Sequence, residues 1–271
     1  MKLFISLLAI ALCLGLALHA YPKKRSPIDS ATQLVVVTTS DWNSPQGTLR
    51  RYDRGNIRVP WREVGGPVSV MVGKNGLAWG AGAIRVDTQA AQPEDPVKKE
   101  GDGKAPAGVF RLTKAFGYTT QPVPGWKMPY LYLNSSVECV DDGSSKFYNQ
   151  IVDRSSVSPD WNSSEHMLRP DDLYRWGILV DHNPAATPGA GSCIFMHIWR
   201  GPGQPTVGCT AMAQQNLESL IGWLNPQSTP LLVQLPMAEY QKLREGWRWP
   251  VIQQAFDGST NQRGPESSGK Q

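Results

Sequence analysis

The chain alternates short apolar runs with turn residues over most of its length, which predicts a mainly β fold. Gln33-Leu-Val-Val-Val-Thr-Thr39 is rich in β-branched residues and predicts a buried strand. Turn residues from Asp41 to Gly47 follow, and Thr48 to Asp53 can return as the second strand of a hairpin. Pro67-Val-Ser-Val-Met-Val72 alternates until the turn Gly73-Lys-Asn-Gly76. Gly108 to Leu112, Tyr130 to Leu133 and Trp176 to Val180 predict further short strands, and Ser192 to Trp199 predicts the most apolar strand of the second half. After Cys209 the period changes. Leu217, Leu220, Ile221 and Leu224 repeat at i, i+3, i+4 and i+7, predicting a helix over 213–224 that Asn225-Pro226 ends. Pro230 to Leu235 predicts a closing strand. Met237 to Glu245 predicts a second helix, with Tyr240 and Leu243 inward, Glu239 outward and a stop at Gly246.

The ends of the chain read differently. Met1-Lys2 is followed by 16 uncharged, almost wholly apolar residues, Leu3 to Leu18, then Leu18-His19-Ala20 and a basic stretch. This is the layout of a secretory signal peptide over residues 1–20, and the run is shorter than the roughly 20 residues a membrane span requires. Residues 21–30 read as a linker and 31–256 as the folded domain. Residues 257–271 hold no large apolar side chain and read as a disordered tail. No other stretch is long and apolar enough to span a bilayer. The expected location is outside the cytoplasmic membrane, in the periplasm or cell envelope. A formal net charge of +4 favours anionic surroundings, and the absence of a basic stripe with interleaved aromatics argues against nucleic acid.

Without the signal segment three cysteines remain: Cys139, Cys193 and Cys209. An odd count in an oxidising compartment means one pair and a leftover thiol, or no pair. Cys193 lies in an apolar run, as a small buried residue or half of a disulfide. Cys209 lies instead among Gly, Thr and Pro, where packing explains it poorly. The segment Phe195-Met-His197-Ile-Trp-Arg200-Gly-Pro-Gly-Gln-Pro-Thr206-Val-Gly208-Cys209 delivers a histidine on a strand, then a Gly/Pro-rich loop, then a Gly-Cys pair. A thiolate is the attacking species, and an imidazole can take its proton. Gly208 would let backbone approach a bound carbonyl, and amides around Cys209 would face the oxyanion. No C-x-x-C or H-x-x-x-H spacing is present, so no metal site is expected.

At these residues the chain resembles the L,D-transpeptidase (YkuD-like) catalytic domain family of cell-wall enzymes, in a divergent bacterial branch. That family carries a histidine on a strand, a loop, then Ser-His-Gly-Cys followed by an apolar residue and Arg. Here the matching positions are His197 and Thr206-Val207-Gly208-Cys209-Thr210-Ala211. Lys104-Ala-Pro106-Ala-Gly108-Val-Phe110 resembles the family's Thr-Pro-x-Gly-x-Phe segment, and Asp172-Leu-Tyr-Arg-Trp-Gly-Ile-Leu-Val-Asp-His-Asn183 resembles the branch. The resemblance implies a β-sandwich or barrel of mixed sheets with two or three helices late in the chain.

It further implies Cys209 as nucleophile and His197 as general base, acting on peptidoglycan stem peptides without a cofactor. Thr206, Gly208 and Arg200 become candidate substrate or oxyanion groups, Arg200 supplying the cation that Ala211 replaces. A Cys139–Cys193 bridge would leave Cys209 free. Val207 stands where the family has its second histidine. His166 and His182 are spare bases, and Asp181 is a candidate to orient an imidazole. The expected reaction is acyl transfer through a Cys209 thioester. The alternatives are a carboxypeptidase or amide hydrolase on the same fold and a non-catalytic wall-binding module.

Overall fold

A computed structural model describes residues 28–82, 92 and 94–252. The expected signal peptide and tail lie outside them. In chain order the strands are β1 (Gln33–Thr39), β2 (Gln46–Asp53), β3 (Arg62–Glu63), β4 (Val68–Met71), β5 (Leu77–Trp79), β6 (Ala105–Gly117), β7 (Tyr130–Tyr132), β8 (Val137–Val140), β9 (Ile151–Asp153), β10 (Ser164–His166), β11 (Trp176–Val180), β12 (Phe195–Ile198), β13 (Thr210–Met212) and β14 (Leu231–Pro236). Two helices come late, α1 (Gln214–Trp223) and α2 (Met237–Trp247).

Eight strands close into a barrel in the order β1-β14-β6-β11-β12-β13-β4-β2, with β2 pairing back onto β1. Closure pairs both edges of each barrel strand, while β3 adds to β2 and β5 and β7 add to β6 outside the ring. Every residue of β1 is buried, because strand alternation sends its valines to both faces. Strand β6 is unusually long. It pairs β5 through residues 105–107, β14 through Gly108–Arg111 and β11 from Leu112 onward, so it wraps across its neighbours. Gly108, at φ +142°, lies where the strand turns, a conformation L side chains rarely adopt. In α1, Leu217, Leu220 and Ile221 form the buried face.

Two expectations need correcting. Helix α2 runs through Gly246 and ends at Arg248, which takes the left-handed conformation (φ +56°) and donates its backbone N–H to the carbonyls of Arg244 and Glu245. Glu239 is also half-buried rather than outward, its side chain only 15% exposed. The expected linker gives up residues 28–30 to the domain. Ile28 is fully buried, and the Arg54 guanidinium donates to the carbonyls of Ile28 (2.8 Å) and Ala31 (2.9 Å).

A separate antiparallel sheet, β10-β8-β9, lies over one flank of the barrel. Between them is a second apolar cluster that includes Phe116, Val137, Tyr174 and Phe195 as well as all three cysteines of the described residues. The segment 193–196, running into β12, serves both cores. Ile194 and Met196 enter the main core, while Cys193 and Phe195 enter the second cluster. His197 follows Phe195 on that second side.

Candidate active site

The parallel pairing of β12 with β13 sets Met196 against Thr210 and His197 against Ala211. Extending that register places Cys209 beside Phe195. His197 is then one step along the neighbouring strand and on the same face. The Phe195 amide donates to Cys209 Sγ at 3.3 Å, and Sγ donates to the Cys193 carbonyl at 3.6 Å. Tyr174 packs edge-on against both Phe195 (5.6 Å) and His197 (5.2 Å between ring centroids). Cys209 and His197 both line an open cleft of about 730 Å³ between the barrel and the small sheet.

Cys139 and Cys193 are bonded to each other, with Cα atoms 6.0 Å apart, and Cys209 is the one free cysteine among the described residues. The bridge fastens β8 of the small sheet to the residue leading into β12. Cys193 takes φ +55°, which ends the extended run, so β12 begins at Phe195 rather than at the expected Ser192. Asn149 Oδ1 accepts the Cys193 amide at 3.0 Å. These contacts fix the carbonyl that holds the thiol.

His197 Nδ1 faces the carbonyl of Ile198 at 2.7 Å. A carbonyl accepts only, so the neutral ring carries its proton on Nδ1 and keeps a lone pair on Nε2. Burial pushes the imidazole down to about 4, the Ile198 carbonyl opposing it. Burial, followed by the Glu165 charge, pushes the Cys209 thiol up to about 12. At neutral pH the resting pair is therefore thiol and neutral imidazole. The recorded hydrogen bonds of both groups go to backbone rather than to each other.

Thr206 and Gly208 shape the turn. Thr206 Oγ1 donates to the Cys209 carbonyl (2.6 Å) and accepts from the Gly208 amide (3.1 Å). Both are thus engaged with the protein in this conformation. Gly208 does not require glycine's freedom, because a Cβ there meets only ordinary contacts with Lys104 O (3.4 Å) and Ile194 Cδ1 (3.5 Å). Arg200 is exposed at the cleft rim, 3.5 Å from Asp171. Val207 is 77% exposed at the same rim, whereas Ala211 is buried.

The spare candidates fall elsewhere. His166 is exposed, with Nδ1 3.6 Å from Glu138. His182 is buried beneath the loop leading to Cys193, its Nε2 facing Ala190 O at 3.0 Å. Asp181 faces Arg111 at 3.9 Å rather than an imidazole.

The cleft also brings together residues that no motif marked. Tyr174 donates to Glu165 Oε1 at 2.5 Å, and Arg169 bridges Glu165 (3.5 Å) and Asp171 (2.7 Å). Burial holds the Glu165 carboxyl above its usual value. Their one sequence signal was Tyr174 within the 172–183 segment. No helix among the described residues is long and apolar enough to cross a membrane. No family model, curated protein or solved structure matches the chain.

Proposed function

We propose that the protein is an exported cysteine acyltransferase of the L,D-transpeptidase type, acting on peptidoglycan stem peptides. The observation that carries this reading is the placement of the free Cys209 thiol and the His197 imidazole on one face of the same cleft. The disulfide supports an oxidising compartment and hence export. His197 Nε2 takes the thiol proton as Cys209 Sγ attacks the carbonyl carbon of the stem's third residue. The tetrahedral intermediate collapses, the proton passes to the departing D-alanine amine, and a thioester remains on Cys209. An amine of a second stem attacks that thioester, gives its proton to His197 and releases the thiol. Both partners start neutral, so proton transfer accompanies attack rather than preceding it.

A second reading, a wall-binding module without turnover, is favoured by one observation. The thiol is 6% exposed and bonded to backbone, and burial raises it to about 12. One experiment separates the readings. Protein is incubated with a purified tetrapeptide muropeptide, with Cys209→Ala as control, and the products are read by mass spectrometry. A cross-linked dimer with loss of D-alanine, absent in the control, supports transfer. A tripeptide alone identifies a hydrolase on the same fold, and no product with retained binding supports the module.

A further inference from the structure

The loop 199–208 is a ridge with a depression on each side. One side faces the Cys209 cleft. The other faces a groove of about 450 Å³ on the barrel wall, and Trp199 lines both. The floor of the groove follows from register. Thr38 pairs with Thr48, and Thr48 pairs with Ser69, so three hydroxyl side chains sit side by side across β1, β2 and β4. Directly paired residues share a sheet face, so all three point the same way. Strands lie about 4.8 Å apart, which sets the hydroxyl spacing near the size of one pyranose ring. Gln46 adds an amide beside the row, and Trp199 with Pro202 form the apolar wall.

Two properties define what this groove can hold. Among the described residues no charged side chain lines it, although the neighbouring cleft carries Lys74, Glu165 and Arg169. A charged ligand would therefore lose hydration without gaining a partner. Gln46 and Ser69 are exposed, Thr48 is half-buried and Thr38 is buried at the back of the row; none of the four side chains makes a hydrogen bond to another described residue, which leaves the donors and acceptors of the three accessible ones open to solvent or ligand. The floor is also the face of a closed sheet. An extended peptide binds a sheet through a free edge, which the barrel does not offer here.

We propose that this groove binds a neutral carbohydrate chain, with hydroxyl and amide contacts on the floor and Trp199 as the apolar platform. Trp199 lines both depressions, so a glycan held here would lie across the loop from the Cys209 cleft. The inference stands apart from acyl transfer, because it rests on residues outside the Cys209–His197 pair. The test is calorimetric titration of the full chain, carrying Cys209→Ala, with a tetramer of β-1,4-linked N-acetylglucosamine. Because the thiol is absent, failure of the transfer chemistry leaves this readout unaffected. Saturable binding is expected, weakened at least 10-fold by Ser69→Arg and by Thr48→Arg. Ser69 is exposed, so Ser69→Arg leaves the barrel folded and decides the matter alone if Thr48→Arg does not fold. Absence of saturation, binding that Ser69→Arg leaves unchanged, or preference for a neutral tetrapeptide would each overturn the proposal.

Discussion

The barrel interior and the cluster around Cys209 are both buried, yet they are held together differently. The interior is mostly apolar, filled by residues such as Val37, Phe110, Ile178 and Leu232 around one buried Thr210–Gln234 hydrogen bond (2.7 Å), and its order comes from close packing within a closed ring of strands. The Cys209 cluster mixes aromatic rings with a disulfide, and the thiol, an imidazole and a Tyr174–Glu165 hydrogen bond adjoin it. Burial there stabilises some groups and penalises the ionised forms of others. The difference teaches that the candidate site sits where a small auxiliary sheet meets the barrel, on a flank whose geometry a covalent bond helps to set.

The contrast can be broken most severely from the barrel side. Phe110→Ala should cost about 3–5 kcal/mol of stability, because Phe110 is fully buried and its neighbours cannot collapse around it. Denaturant unfolding measures this, and a loss below about 1 kcal/mol would show a looser core than described. Replacing Cys139 and Cys193 together with alanine should cost less, about 2–4 kcal/mol. It should act mainly on the flank. Alkylation of Cys209 at neutral pH, slow in the native protein, should rise at least tenfold by mass spectrometry. Unchanged alkylation would mean that the bridge does not govern access to the thiol.

Acid should weaken the fold in a defined window. His197 and His182 are both pushed by burial from 6.5 down to about 4. Between those values the unfolded chain binds protons that the folded chain refuses, so stability is complete above pH 6.5 and falls toward pH 4. The share of His197 is on the order of 3 kcal/mol. His197→Phe should flatten the slope by that share in unfolding curves taken across the window. The smallest effect separates two glycines. Gly208→Ala should change stability by about 0.5 kcal/mol or less. Gly108→Ala should cost visibly more, since its φ of +142° disfavours any side chain. Equal melting temperatures for the two variants would remove the distinction.

Much of the barrel was legible in the sequence, because β-branched runs such as Gln33–Thr39 and the 3.6-residue period of α1 mark their elements directly. The closure was not, since it depends on Leu34 meeting Leu231 across nearly the whole chain. The small sheet was also invisible. Strands of three or four residues such as Val137–Val140 and Ser164–His166 carry too few positions for a period to register. In the site, Cys209 and His197 stood out through their loop, whereas Glu165 and Arg169 belong to no spacing pattern and join the cleft only through tertiary packing.

The first and last strands of the barrel are direct neighbours, β1 lying parallel to β14 and β14 lying between β1 and β6. A chain that emerges amino-terminus first can form the β1–β2 hairpin early, but it leaves Val35, Val36 and Val37 uncovered until residue 236 has been made. Final assembly therefore waits for β14, and a chain truncated before Leu231 has no strand to fill the gap. Such long-range pairing makes for slow folding with exposed apolar intermediates. The same arrangement acts as a length check, since only a chain that has reached its fourteenth strand can close the ring.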